Sequence, residues 1–356
     1  MPPVVPILAR MDAPGLTRPL EGDQEAVRLQ AEEHPLIEDV PPVSAAEHCL
    51  RLMHLRAYDE AVAHAAGRDV LDVGCNTGYG TLRFAPVAGR VVGVDVSPRA
   101  IDAARQRAPD GRPEFVLTSG FELPFPDDSF DLVTSFQVLE HVPDPSAYLQ
   151  EIKRVARPGG TVILATPNAA TRLYPGMTPW NRFHVHEYVA AELQNLLSGV
   201  FPQVRILGMF GAPELYETEI RRVDAARQRI RRKEEAVARQ AAAGEATAGR
   251  AAVAPTAIQA ARLFPIRIAR AVLPDFARAW LRSIVRPGAK GIGRPVSTPH
   301  VESAAPPPAH AVEPPPMDLE AFLQFSVDDL LYADTDLDRA MDLLAICQLE
   351  HRQDAG

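Results

Sequence analysis

With 356 residues, 46% of them apolar, the chain can bury one large core or two modest ones. Its formal charge of -9 argues against nucleic-acid binding by bulk electrostatics. Cys49, Cys75 and Cys347 lie too far apart for a metal-ligand spacing and read as reduced thiols, so no metal ligand is assigned and a soluble, cytoplasmic protein is expected.

The opening residues, MPPVVPILARMDAPG, lack a basic region followed by a long apolar core, so no secretory signal is expected. No run approaches the roughly 20 apolar residues that span a bilayer. Residues 1–43 mix Pro, Asp and Glu with little periodicity and are expected to form a disordered leader. From Ala45 to His64, Leu50, Met53, Leu55, Tyr58 and Val62 recur at near-helical spacing and predict an amphipathic helix.

A regular alternation follows. DVLDV (69–73) is a first apolar strand, and the glycine loop Gly74, Gly78, Gly80 leaves it toward an expected helix whose positive end would face a ligand. RVVGVDV (90–96) is a second strand, followed by a helix with Ser97 as N-cap and Pro98 at its first position. EFVLT (114–118) and FDLVTSF (130–136) are strands three and four. Asp144 and Pro145 open a helix with Leu149, Ile152 and Val155 on one face; Pro158-Gly159-Gly160 is expected to end it before strand five, TVILAT (161–166). HEYVAAELQNLLSG predicts a further helix and QVRILGMFG (203–211) a sixth strand. Strands alternating with helices predict an α/β fold, a doubly wound and mostly parallel sheet.

Beyond residue 212 the pattern breaks. Residues 214–240, rich in Arg and Glu, predict a long solvated helix, and an Ala/Gly-rich linker follows. Residues 258–286 set six arginines and one acid among Phe264, Phe276, Trp280 and several isoleucines. This stretch reads as a lid or homodimer arm in preference to a peripheral membrane contact, because Pro265 and Pro274 interrupt it. A Pro-rich linker (295–316) precedes the final segment.

The glycine loop narrows the chemistry. Gly74-x-x-x-Gly78-x-Gly80 is not the G-x-G-x-x-G of a dinucleotide site, and no lysine completes a P-loop. What remains is a tight strand-to-helix turn where missing Cβ atoms let a ligand approach the backbone. Asp95, closing the second strand, is placed to accept hydrogen bonds from the ribose hydroxyls of a nucleoside.

LDVGCNTGYG, VVGVDVSPRAIDAAR, ELPFPDDSFDLVTSFQVLEHVPDP and EIKRVARPGGTVILATPN, in this order and spacing, resemble successive motifs of the class I methyltransferases that use S-adenosylmethionine (SAM). The resemblance covers roughly residues 66–212. It is narrower to the small-molecule branch, which includes ubiquinone-pathway O-methyltransferases and sugar and glycan methyltransferases. It implies SAM as cofactor, with Asp72, Gly74 and Gly78 bordering the methionine part and Asp95 holding the ribose. Ser119, Gly120 and Phe121 would line the adenine, and Gln137 would lie near the sulfonium. Relatives often carry an Asp where this chain has Ser119, which shifts the adenine contact toward backbone.

For an oxygen acceptor, a base within hydrogen-bond reach assists transfer. His141, in QVLEHV after strand four, and His184, in NRFHVHEY after strand five, fall on the carboxyl edge of the sheet where ligands bind. Imidazole suits proton transfer near neutrality, so either is a candidate base. His184 resembles the NPFHVREY loop of glycan-type relatives; His186 stands where those have Arg. His54 and Tyr58 are candidates to line the acceptor side, Tyr58 chiefly as core.

The resemblance also implies a seventh, antiparallel strand after strand six. MDLLAICQ (341–348) is the candidate, although Leu337, Met341, Leu344 and Cys347 also fit a surface helix. The expected organisation is a disordered leader (1–43), a SAM-binding domain (44–212), a helical and linker insertion (213–340) and a returning strand (341–350). The expected function is methyl transfer to a hydroxyl of a small-molecule or glycan acceptor, with carbon or nitrogen transfer, or a non-catalytic SAM-binding scaffold, as alternatives.

Overall fold

The computed structural model describes residues 41–120, 122–248 and 319–351, together with Val27, Gln30, Glu33 and Leu36. Phe121, the basic stretch 258–286, the Pro-rich linker 295–316 and most of the leader lie outside the described residues.

Helix α1 (Ala45–Val62) starts at Ser44, whose side chain accepts from Glu47 N. Strands β1 (Asp69–Val73) and β2 (Arg90–Asp95), helix α2 (Pro98–Arg107), and strands β3 (Glu114–Leu117) and β4 (Phe130–Phe136) follow. Then come α3 (Pro145–Val155), β5 (Ala156–Pro167), the single turn α4 (Ala169–Arg172), α5 (Ala190–Ser198) and β6 (Gln203–Gly211). The chain continues with α6 (Pro213–Ala248), the short α7 (Leu319–Phe322), β7 (Leu330–Ala333) and β8 (Asp342–Gln348).

The strands form one sheet in the order β3-β2-β1-β4-β5-β8-β6-β7. The first six strands run parallel, and β8 enters antiparallel between β5 and β6, pairing Ile163 with Ile346 and Ile206 with Ala345. The returning strand is thus where the sequence puts it. Among the described residues the sheet has eight strands rather than seven. The extra one, β7, pairs antiparallel with the outer side of β6, from Gly208–Ala333 to Gly211–Leu330. Four residues long, with Leu330 buried and Leu331 more than half exposed, it carries too little periodicity to be read as a strand.

Alternation along the strands splits the core into two layers. Leu71, Val133, Leu164 and Leu343 pack with Leu149, Ile152, Leu193 and Leu197 on the α3 and α5 face. Val70, Leu132, Ile163 and Leu344 pack with Ala57, Tyr58 and Ala61 of α1 on the other. A third cluster joins Cys49 and Met53 of α1 to Leu215 of α6, Phe322 and Leu330. The first turns of α6 are therefore not a solvated face: Leu215, Thr218, Glu219 and Val223 are buried.

Two local expectations change. Helix α3 stops at Val155, and Arg157–Gly160 belong to β5, where the register against β4 shifts between Phe130 and Leu132. Gly159 takes φ +74° at this irregularity, so the glycines make a bulge rather than a helix end. After the glycine loop the chain forms only a 3-10 turn, Thr81–Arg83, not an α-helix. So short a segment aligns too few peptides for the expected dipole.

Candidate functional site

Parallel strands deliver their carboxyl ends, and the loops that leave them, to one edge of the sheet. On the β1 side, Gly74 and Gly78 take φ +80° and +73°, values that a Cβ resists. Protein already fills the space a Cβ would need. Val138 lies against Gly74, the Phe115 ring lies 2.6 Å from the Cβ position of Gly78, and Tyr58 lies against Gly80. These glycines meet a packing demand as well as a turn demand, which the reading of a ligand-only cradle omits. Asn76, at φ +48°, steadies the turn by accepting from Thr77 N through Oδ1 at 2.9 Å.

Asp72 is wholly buried beneath this loop. Tyr58 Oη and Thr81 Oγ1 donate to its Oδ2 at 3.1 and 2.6 Å, and Thr134 Oγ1 donates to its Oδ1 at 2.9 Å. Burial pushes its carboxyl up to about 6, against the three hydroxyls, which favour the charged form. Asp72 thus ties α1, the loop and β4 together from below. Asp95 accepts from Asn76 N at 2.9 Å and Ser97 N at 2.8 Å, one bond to each oxygen. That fixes its carboxylate between the glycine loop and the head of α2. Ser119 and Gly120 are exposed beyond β3, and Val27 from the leader approaches the Cβ position of Gly120 at 3.4 Å.

On the β4–β5 side, Gln137 leaves β4 in a left-handed conformation (φ +57°), with its N–H donating to Ala165 O. Its Nε2 donates to Asp342 Oδ2 at 2.6 Å, so the first residue of β8 reaches the same edge. Burial raises the Asp342 carboxyl well above its ordinary value. A narrow cavity beside it is lined by Met53, His54, Gln137, Arg172, Glu219 and Asp342.

The two candidate histidines meet. Their rings pack edge to face with centroids 4.7 Å apart, and both side chains are buried. His141 Nδ1 donates to Phe183 O at 2.9 Å, and His184 Nδ1 donates to Glu187 Oε1 at 2.6 Å. Arg172 donates to both oxygens of Glu187, at 2.9 and 3.1 Å, and stacks on Trp180. Burial alone would raise Glu187, but His184 and Arg172 outweigh it and hold the carboxyl at about 2. Glu140 lies beside the pair, its carboxyl raised by burial against the opposing pull of His184 and Thr166. By contrast His186 is exposed and faces Glu192 at 3.4 Å, and Tyr58 is core, edge-on to Phe136.

Residues 71–164, which run from within β1 to within β5 and include the glycine loop, Asp95, Gln137, Glu140 and His141 but not His184, Glu187 or Asp342, match the family model described as "Methyltransferase domain". That stretch of the chain is thus a methyltransferase domain. A "Probable S-adenosylmethionine-dependent methyltransferase" of Mycolicibacterium smegmatis is 41% identical over 170 residues, 47% of this chain and 65% of that protein. A similarly named protein of Mycobacterium tuberculosis is 39% identical over 170 residues, 47% of this chain and 61% of that protein. The matched segment thus spans less than two thirds of these relatives. Among solved structures, YcgJ of Bacillus subtilis matches with a TM-score of 0.39 and 23% identity over 46% of this chain and 78% of its own. A SAM-dependent methyltransferase of Thermotoga maritima matches with a TM-score of 0.39 and 20% identity over 47% and 80%.

The methyltransferase domain's donor side fits its cofactor. A carboxylate locked at the end of β2, facing a turn of left-handed residues, offers the acceptor that a ribose diol requires. When bound, SAM supplies an electrophilic methyl group; the chain's part is to hold and orient it. Asp342, Arg172 and Glu187 escape sequence reasoning. A signal for Asp342 was present: a polar residue opening an antiparallel strand lands on the carboxyl edge of its parallel neighbours, here opposite Pro167.

Proposed function

We propose that the chain transfers the methyl group of SAM to a hydroxyl of a small-molecule or glycan acceptor. The observation that carries this reading is the buried Glu140–His141–His184 cluster, on the same sheet edge as the donor loop. Carbon and nitrogen acceptors often react without a partner for a departing hydroxyl proton; an oxygen acceptor of high pKa needs one. In this reading Asp95 holds the ribose, and Gly74 and Gly78 shape the turn around the methionine part. Ser119 and Gly120 border the adenine, and Gln137 orients the sulfonium side. The acceptor enters beside Gln137 and Asp342, and its hydroxyl is activated at the cluster. The names of the relatives specify the donor and leave the acceptor open.

Methyl release from SAM, measured against panels of phenols, sugars, amines and quinones, tests this. Turnover on hydroxyl acceptors alone, reduced at least about 100-fold by His141→Ala and His184→Ala, is the expected result. Turnover on amines alone, or SAM binding with no turnover on any acceptor, overturns it.

A further inference from the structure

We propose that Glu140, His141 and His184 form a binding site for a divalent transition-metal ion. One donor atom from each lies within 4.8 Å of the other two, and all three side chains are buried. Glu140 Oε2 is held by Thr166 Oγ1 at 3.0 Å, but Oε1 is buried with no hydrogen-bond partner and lies 3.9 Å from His141 Nε2. An unpaired buried acceptor is destabilising, and more so when charged, so the position is stable only with a reason. A cation between the three groups supplies that reason.

The imidazoles are prepared for the same role. Each anchors its Nδ1–H, one to the Phe183 carbonyl and one to the Glu187 carboxylate. That fixes the tautomer and assigns Nε2 as the coordinating atom, the outer arrangement that metal-bound histidines use. Arg172 is spent on Glu187, so the charge of Glu140 is left to face the ion. The two contributing segments are also clamped together: Val185 N and His186 N donate to Glu140 O at 2.7 and 3.2 Å. Bonds of about 2.1 Å in a tetrahedral site place ligand atoms about 3.4 Å apart, so the three groups would draw together by about 1.4 Å at most to hold an ion. Two imidazoles and one carboxylate favour zinc or a neighbouring first-row ion over magnesium or calcium, and they leave a fourth position open.

The role of such an ion rests on the hydroxyl reading above. It would polarise the acceptor hydroxyl and lower its pKa. The O–CH3 bond forms as the S–CH3 bond breaks, sulfur keeps the bonding pair as a neutral thioether, and the hydroxyl proton passes to water. The histidines then hold the ion rather than accept the proton.

The test is titration of the full, chelator-stripped chain with Co²⁺, followed by visible absorption. Expected are one equivalent bound, d–d bands that zinc abolishes, and affinity weakened at least about 10-fold by Glu140→Gln and by His184→Gln, with SAM binding by calorimetry retained. No spectral change in the wild-type chain up to about 1 mM Co²⁺ overturns the site without recourse to any variant. Undiminished binding in both variants overturns it equally. Co²⁺ bound with no hydroxyl acceptor methylated leaves the site standing and removes the acceptor reading. Methyl transfer at full rate by the stripped chain overturns the role of the ion in the reaction.

Discussion

Asp72, under the glycine loop, and Glu187, behind His184, are both carboxylates with no more than 2% of their surface exposed, yet they are stabilised in opposite ways. Among the described residues Asp72 meets three hydroxyls and no cation, and burial takes its carboxyl up to about 6. Glu187 meets a bidentate arginine and an imidazole, and its carboxyl is held at about 2. The donor side therefore stores charge weakly, through neutral dipoles beneath a turn. The acceptor side is a charged network whose members depend on one another. In the proposed reading the difference suits two tasks: one side would hold a ligand by shape, and the other would fix the orientation of groups that act on a proton or an ion.

The comparison breaks most visibly at Arg172. Arg172→Met strands a buried carboxylate and is expected to cost about 3–5 kcal/mol in urea unfolding, with the double variant Arg172→Met/Glu187→Gln recovering much of it. A loss below about 1 kcal/mol would mean the network carries no such interdependence.

The pH dependence separates the two carboxylates next. Asp72 has a raised folded-state pKa, so its contribution is full below its ordinary 3.8 and is lost as pH rises through about 6. Glu187 has a lowered one, so its contribution is full above its ordinary 4.5 and is lost as pH falls toward 2. Asp72→Asn should gain on the wild-type chain by about 2–3 kcal/mol between pH 4 and 7, measured without SAM. Parallel stability curves for the two proteins would contradict a raised Asp72.

On the donor side, Asp95→Ala is expected to weaken SAM binding about 10–100-fold by calorimetry with little change in fold, since hydrogen bonds to a charged group are worth about 1.5–3 kcal/mol. Unchanged affinity removes Asp95 as the ribose partner. Gly78→Ala should cost about 1–3 kcal/mol, because φ is +73° and the Phe115 ring stands in the way. At the small end, His186→Ala should stay within about 0.5 kcal/mol by thermal melting, in contrast to its buried neighbour His184.

The two sides also differed in how far they could be read from sequence. The donor side is written in one continuous stretch: strand, Asp72, glycine turn and Asp95 lie within a single β-turn-β unit whose geometry is local. The central strands followed from apolar periodicity, whereas the returning β8 followed from the resemblance, because its residues also fit a helical period. The acceptor side is assembled across the chain. Glu140 and His141 sit on a 3-10 turn, His184 comes from a loop after β5, and Gln137 meets Asp342 across 205 positions. Each is an unremarkable polar residue until the sheet closes. The tautomers depend on Phe183 O and Glu187, which no spacing rule connects to a histidine elsewhere. The missed strand β7 has a similar cause, since its partner β6 and the flanking Arg56, which donates to Leu330 O at 3.0 Å, are distant in sequence. The missing helix after the glycine loop is different: a tertiary demand, Thr81 turned to Asp72, overrides local preference.

The placement of β8 has a consequence for the order in which the molecule can be made. Thr161 and Gln348, paired in the finished sheet, are 187 positions apart, so β5 and β6 emerge from synthesis with a vacant lane between them. Until residues 342–348 are available, both strands present unpaired backbone to one another and to any other chain nearby. The half of the sheet that carries the donor turn has no such wait, because its strands pair with neighbours made soon after. The Gln137–Asp342 contact, at the edge of that lane, forms only with this last strand, so the acceptor-side edge is completed after the donor turn.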